Sequence, residues 1–388
     1  MSANYWASTQ CNNWLLDRPQ LQLARKQDLK YASSLECAAL GVFFSNPKRL
    51  NLRQRVVASA NIFFRRFFAK NSYSALDPFL VAATCVYVAA KVEESPIHIK
   101  SAVAEASRSF QEVGFRSMPT DNSSLAEMEF YLLEEMEFDM IIFHPYRSLI
   151  ALYDLYGNGK DDGIQGGGGG ATAAAAAAAA SGGVVTGLGL ESEAFGVIKG
   201  LTSVEERDSG VGHGKAVKLL EFDEQVLQMS WFVLNDTYKT DIPLMYAPYM
   251  VALASLWLAL TLHTPSYDRI NHSLATMQQK RLQHSLAIES VLNNPQANVD
   301  ELPNEQDLMP PSEEALTFFA SLNISLPLLA EVVQEIVMGY KVQNETRGLV
   351  ADGMRMCKLL DRMREARRQE LIAKATESHD SAGMATHR

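Results

Sequence analysis

The sequence predicts an all-α fold in which one helical unit occurs twice in tandem. Three observations predict it. Residues 77–90 are apolar on every side and end at Lys91-Val92-Glu93-Glu94, which reads as a helix wrapped by other helices. The pattern returns about 170 residues later: Pro78-Phe79-Leu80-Val81-Ala82 aligns with Pro248-Tyr249-Met250-Val251-Ala252, followed by aromatics at Tyr87 and Trp257 and alanines at Ala89 and Ala259. Upstream of each copy, Asn61-Ile62-Phe63-Phe64-Arg65 and Asn235-Asp236-Thr237-Tyr238-Lys239 share Asn-x-x-aromatic-basic. Each copy is thus an amphipathic helix, a turn and a buried helix opened by proline at its first position.

The elements follow in order. Cys11, Trp14 and Leu15 have helical spacing near the N-terminus. In Leu52 to Phe68, Val56, Val57, Ala60, Phe63, Phe64, Phe67 and Phe68 mark an apolar face, with Arg53, Arg55, Arg65 and Arg66 elsewhere. A helix from Ile97 to Phe110 continues after Ser95-Pro96. Ser123-Ser124 caps another from Leu125 to Phe138, whose inner face is Leu125, Met128, Leu132 and Met136. From Gly157 to about Gly214 the composition changes to glycine (Gly166 to Gly170) and alanine (Ala173 to Ala180), a low-complexity insertion unable to bury a core. Helix resumes at about Leu219. Tyr267 to Leu286 is amphipathic, Asn293 to Ser312 is a loop, and Glu313 to Gln343 is helical with a break at Leu326-Pro327. The Arg-rich stretch Arg355 to Arg368, interleaved with Asp361 and Glu365, reads as a solvated or frayed tail helix. The expected boundaries are 1–30 for an N-terminal helix and extension, 31–156 for the first unit, 157–218 for the insertion, 219–345 for the second unit and 346–388 for a charged tail.

Bulk properties exclude several classes. The chain has 388 residues, enough for two cores, and is 47% hydrophobic and 21% charged. Its formal net charge of −10 argues against nucleic-acid binding, which calls for a basic face. Cys11, Cys37, Cys85 and Cys357 are scattered, with no metal-ligand spacing, as expected of reduced intracellular thiols. The polar N-terminus is no secretory signal. Ile242 to Leu262 is as long as a membrane span, but Pro243, Pro248 and its shorter twin argue for a core helix. No Walker loop, Gly-x-Ser-x-Gly or His-Glu-x-x-His occurs, so no catalytic residue, cofactor or metal is expected. His144, before Pro145, reads as a turn residue. Glu93-Glu94 and Glu134-Glu135 point in different directions on a helix and make poor acid–base pairs.

Lys91 has two readings. A cation at a helix C-terminus meets the negative dipole end, which alone would explain it. Otherwise its ammonium leaves the core at a surface that receives a partner and donates to that partner's backbone carbonyls. A carboxylate on a neighbouring helix would then accept N–H bonds, and Glu129 is the candidate, with Leu133 one turn on and Phe138 beyond. Thirteen residues after each proline the chain has Lys91 in the first copy and Thr261 in the second, so such a site belongs to the first unit.

Lys91-Val92-Glu93-Glu94 after a small-residue helix, then Glu129-x3-Leu133-x4-Phe138, resembles the cyclin box, and two five-helix boxes in tandem is the cyclin architecture. Asn4-Tyr5-Trp6-Ala7-Ser8-Thr9, Trp14-Leu15-Leu16-Asp17, Leu52-Arg53-Gln54-Arg55-Val56, His144-Pro145-Tyr146-Arg147 and Val233-Leu234-Asn235-Asp236-Thr237-Tyr238 are similar to the C-type cyclins. The resemblance covers about 1–156 and 219–262, and reaches more weakly to about 345. It implies a non-catalytic regulatory subunit that binds and activates a cyclin-dependent kinase in the Mediator kinase module, beside that module's other subunits. It further implies action on RNA polymerase II transcription in the nucleus, with neither nucleic acid nor membrane bound directly. It assigns the kinase's backbone to Lys91 and Glu129, its regulatory helix to Val92, Leu133 and Phe138, and kinase selection to the segment holding Tyr5, Trp6 and Trp14; packing of that segment on its own box is the other reading. The region of Leu35 to Phe44 lacks the Met-Arg-x-Ile-Leu patch of cell-cycle cyclins, and the insertion and charged tail fall outside the pattern. The rival expectations are another transcriptional cyclin, or a general-transcription-factor-type tandem fold that binds DNA and polymerase.

Overall fold

The computed structural model describes residues 4–45, 52–115, 122–157, 219, 221–293 and 315–385, the side chains of 290–293 and 377–385 excepted. The expected glycine/alanine insertion and the loop expected from Asn293 to Ser312 lie outside the described residues, Gly157 and Asn293 excepted.

Among the described residues the structure is helical. Short helices α1 (Thr9–Asn13) and α2 (Arg18–Arg25) lead into α3 (Ser34–Phe44), α4 (Gln54–Lys70), α5 (Pro78–Val92), α6 (Ile99–Glu112) and α7 (Asn122–Glu135). Next come α8 (Pro145–Tyr156), α9 (Glu224–Thr237), α10 (Ile242–Met245), α11 (Pro248–Leu262) and α12 (Thr264–Asn293). The last are α13 (Ala315–Ser321), α14 (Leu326–Ala351) and α15 (Gly353–Ala385).

The repeated apolar helices are α5 and α11, and each is the hub of a bundle. Asp77 caps α5 by accepting from the Phe79 amide at 3.0 Å, and Pro78 fits the first turn because its missing N–H would have no partner there. With Tyr87 the one polar side chain of size between Thr84 and Lys91, α5 buries Phe79, Val81, Ala83, Cys85, Val88, Ala89 and Ala90. It packs on α4, α6 and α7, and Phe79 stacks on Phe115 at 3.8 Å between ring centroids. Each valine or phenylalanine withdrawn from water here contributes about 1.5–3 kcal/mol, and each alanine methyl less. α11 is buried still more completely, among α8, α9, α12 and α14. Among the described residues no helix is long and apolar enough to cross a membrane.

Three expectations change. First, α8 does not close the first bundle. Tyr146, Leu149, Leu152 and Tyr153 lie in the core built around α11, and α8 packs on α9 and α11. The first bundle therefore ends before Pro145 rather than at residue 156. The two described ends flanking the insertion meet within the second bundle, where the Leu219 amide donates to the Tyr156 carbonyl at 2.7 Å.

Second, Leu326-Pro327 opens a helix rather than breaking one. Ser325 caps α14, and the proline occupies its first turn. The N-terminal part of α14 buries Leu329, Val332 and Ile336 in the second core, and its C-terminal part runs along α3 to set Leu349 and Val350 against the first.

Third, the Arg-rich stretch is a helix docked by one face, not a solvated or frayed tail. Met356, Leu359, Leu360 and Met363 of α15 are buried in the first core. The arginines around them pair outward: Arg362 with Glu36 at 2.8 Å and Arg364 with Asp77, the cap of α5, at 3.0 Å.

Polar side chains join the bundles. Arg65 is buried, donates to the Tyr238 carbonyl at 3.0 Å and pairs with Asp241 at 2.9 Å; Arg25 of α2 pairs with the other Asp241 oxygen. Burial pushes the Asp241 carboxyl up, but the two guanidiniums outweigh it and hold the group below its ordinary value.

Candidate functional site

The site is built where α5 and α7 end side by side. α5 closes in a Schellman arrangement, with Ser95 N–H on the Ala90 carbonyl at 2.9 Å, Glu94 N–H on Lys91 at 3.3 Å and Glu94 at φ 52°. α7 closes the same way, with Phe138 N–H on Leu133 at 3.1 Å and Glu137 N–H on Glu134 at 2.9 Å. Glu137 and Phe138 take φ 53° and 62°. Left-handed backbone at a non-glycine residue costs on the order of 1 kcal/mol. Among the described residues Glu94, Glu137 and Phe138 are the non-glycine residues that adopt it.

These closures leave Lys91 on the rim of the first bundle. Its ammonium is 2.5 Å from Glu129 Oε1 and 4.5 Å from the centre of the Tyr87 ring. Partial burial works against the Lys91 charge, but the Glu129 carboxylate and the Tyr87 side chain more than compensate and raise its pKa. Lys91 therefore carries its full charge at neutral pH. Val92 and Leu133 are half-buried against the first core, while Phe138 stands 71% exposed.

Sequence reasoning overlooked part of this surface. Phe130, 74% exposed, and Tyr131 lie on α7 next to Glu129, and Ile141 is exposed on the linker after Phe138. The signal was present: Leu125, Met128, Leu132 and Met136 define the inner face of α7, which puts Phe130 opposite at 3.6 residues per turn. Large apolar side chains exposed near an ion pair make this face a candidate interaction surface.

The N-terminal segment divides. Trp14 is buried in the first core, its indole N–H donates to Asp139 at 2.9 Å, and Arg66 and Lys70 lie 4.6 and 4.7 Å from its ring. Tyr5 is buried, with its ring edge-on to Phe143 at 5.6 Å. Gln10 clamps the Phe143 backbone, accepting its N–H at 2.7 Å. These three residues fasten the linker between bundles, so Tyr5 and Trp14 have no face left for a partner. Trp6 does: it is 52% exposed and leans on Tyr249 of α11, 5.6 Å away.

Behind Lys91, Glu93 turns inward. It accepts from Ser59 at 2.6 Å, pairs with Arg55 at 2.8 Å and lies 3.6 Å from His144 Nε2. The other His144 nitrogen meets the Tyr238 hydroxyl at 2.7 Å. Tyr146 in turn bonds Asn235 at 2.6 Å. His144 is thus more than a turn residue: it joins the end of α5 to the second bundle. Burial opposes the Glu93 charge, but His144, Ser59 and Arg55 hold its pKa down at about 2. Burial lowers the His144 pKa, opposed by Glu93.

At the matching place in the second bundle, the Thr261 hydroxyl donates to the Leu258 carbonyl at 2.8 Å and no ion pair is formed there among the described residues. Nor, among the described residues, is any group of three or more His, Cys, Asp or Glu placed to hold a metal ion.

The model of the cyclin N-terminal domain matches residues 40–141, which hold the whole Lys91–Glu129 site. The RNA polymerase II holoenzyme cyclin-like subunit of Mycosarcoma maydis is 67% identical over 383 residues, spanning 96% of this chain and 98% of its own. The chain belongs to the cyclin family. More distant relatives of this cyclin include Cyclin-C of Drosophila melanogaster, 28% identical over 67% of this chain and 77% of that one. Cyclin-C of Rattus norvegicus is 29% identical over 67% and 72%. Solved structures with a similar chain include the CAK complex of Chaetomium thermophilum bound to ATP-gamma-S, at 14% identity, TM-score 0.47, and coverage of 97% of this chain and 94% of that one.

Proposed function

We propose that this cyclin is the regulatory subunit of a cyclin-dependent kinase in the Mediator kinase module, acting in the nucleus on RNA polymerase II transcription. The observation that carries the reading is the Lys91–Glu129 ion pair, set at the rim of the first bundle among Phe130, Leu133 and Phe138. The name of the Mycosarcoma maydis relative supports the polymerase assignment, and the Cyclin-C relatives support the choice of module.

In the free chain the two charges satisfy each other. On docking, the ammonium donates to kinase backbone carbonyls, the carboxylate accepts kinase N–H groups, and Val92, Leu133 and Phe138 pack the kinase's regulatory helix. Trp6 extends the contact toward the second bundle. The kinase samples positions of that helix, and this cyclin selects the one in which its Lys–Glu ion pair forms for phosphoryl transfer. The shift equals the difference in the cyclin's affinity for the two kinase states. The chain itself catalyses nothing.

The test is co-purification of the kinase with wild-type chain and with Lys91→Glu. The expected result is loss of the kinase with no loss of helix content; undiminished capture would remove the proposal.

A further inference from the structure

The packing of α15 on the first bundle creates a cavity of about 370 Å³, far from Lys91 in the sequence. Gln27, Tyr31, Ser72, Arg367 and Lys374 line it, with Lys70 in the wall committed to Glu137 at 2.6 Å. The chain carries a net charge of −10, yet cations gather here. Lys374 and Lys30 both reach the Glu370 carboxylate, at 2.6 and 3.4 Å, and the Tyr31 hydroxyl donates to its second oxygen. Arg367 donates only to hydroxyls among the described residues, those of Ser72 and Ser74, at 3.3 Å each. Asp28, just behind, is spent: its carboxylate accepts from Ser72 and from the Tyr73 and Ser74 amides.

Glu370 is therefore a resident anion. Lys374, Tyr31 and Lys30 hold its pKa at about 2, although it stands at the surface. A carboxylate brings one negative charge to this ring of donors, and a phosphate monoester brings up to two with three acceptor oxygens. The surround is apolar as well as basic. Leu371 lines the cavity, and Leu23, Leu29 and Ile372 are exposed on the elements that form it. A free phosphate would have no use for those side chains, whereas the residues flanking a phosphoserine would.

We propose that this cavity binds a phosphorylated serine or threonine in a peptide segment, with Arg367, Lys374, Lys30 and Tyr31 on the phosphate and Glu370 as the internal placeholder it displaces. Arginine and lysine clusters of this kind recognise phosphopeptides in unrelated folds. The choice of a phosphopeptide rests on the kinase reading above, since a kinase regulator meets the products of its own kinase.

The test uses the full chain without kinase. The probe is a fluorescein-labelled peptide of Gly, Ala and Leu with one phosphoserine, followed by anisotropy against its serine twin. The phosphopeptide binds at least about tenfold tighter than the serine peptide, and more weakly as salt is raised. Arg367→Ala and the largely exposed Lys374→Ala each weaken it by about fivefold or more, with melting unchanged for Lys374→Ala. Glu370→Gln tightens it, because the competing carboxylate is gone. Equal binding of the two peptides, or a Glu370→Gln variant no tighter than wild type, overturns the site; inorganic phosphate competing at the same concentration as the peptide overturns its peptide ligand. Lys91→Glu keeps phosphopeptide binding, so loss of the kinase reading and loss of this site give different results.

Discussion

Lys91→Glu separates the two roles a helix-terminal lysine can have. Within the chain, the substitution removes an ion pair whose lysine is 42% exposed and a contact with the Tyr87 ring, and it sets a second carboxylate beside Glu129. An exposed pair is worth about 0.2–1 kcal/mol and an exposed cation–π contact about 0.5–1. Folding stability should therefore drop by no more than about 2 kcal/mol, a melting shift of roughly 4–8 °C at most for a domain of this size. In the proposed complex with the kinase, the same change leaves backbone carbonyls facing an anion. Truncating one partner of a buried charged hydrogen bond costs about 2–5 kcal/mol, so affinity should fall by at least about 30-fold. Calorimetric titration with purified kinase, beside thermal melts followed by circular dichroism, reads both numbers. The double exchange Lys91→Glu with Glu129→Lys decides between them. It rebuilds the internal pair, so a structural role predicts recovery, whereas docking predicts that affinity stays low because donor and acceptor have traded places. Wild-type affinity in either variant would refute the reasoning.

Further outcomes follow from the packing. Leu360→Ala should cost about 2–5 kcal/mol, read as a lowered urea midpoint, while Arg355→Ala on the exposed side of the same helix should stay within about 0.5 kcal/mol. Equal effects would mean that α15 does not dock. Trp14→Ala should lose about 3–5 kcal/mol, since it removes a buried ring, its bond to Asp139 and two cation contacts; a change below 1 kcal/mol would show the segment to be loosely held. Stability should fall with acid in two stages. The folded pKa of His144 lies below its ordinary value, so the unfolded chain takes the proton first, and this contribution, full above the unfolded pKa, fades as pH drops from about 6.5 toward the lower folded value. Glu93 contributes above its ordinary pKa and loses that contribution between about 4.5 and 2, worth about 2 kcal/mol after allowance for solvent screening. Urea midpoints across pH 7.5 to 5.5 that decline as steeply in His144→Asn as in wild type would assign the first stage elsewhere.

Much of the fold was legible because burial leaves a periodic trace. Pro78 and Pro248 announced both hub helices, and the absence of polar residues from Val81 to Val88 other than Thr84 and Tyr87 announced their central place. Lys91 and Glu129 were legible as a pair through a family resemblance, and their 2.5 Å approach required the packing of α5 on α7. What misled was charge. Eight positions from Arg355 to Arg368 are Arg, Lys, Asp or Glu, a density that masks Met356, Leu360 and Met363 at helical spacing, although those three set where the helix lies. The placement of α8 was hidden for another reason. A proline-started helix of ordinary composition carries no mark of the bundle it will join, and only contact with α9 and α11 decides it. Glu93 likewise showed no sign of its inward turn, because the residues that hold it, Ser59, Arg55 and His144, come from two other places in the chain.

Helix α14 runs for 26 residues, about 39 Å at 1.5 Å per residue, with one end in each core. Bending between the bundles would require breaking its backbone ladder and the Arg65–Asp241 contact together. The spacing between Trp6 on one bundle and Lys91 on the other is thereby set when the chain folds. Ordering of the docking face then adds little to the entropy lost on association, a loss that weakens binding by flexible partners. In such a complex the cyclin is the template and the kinase is the part that moves.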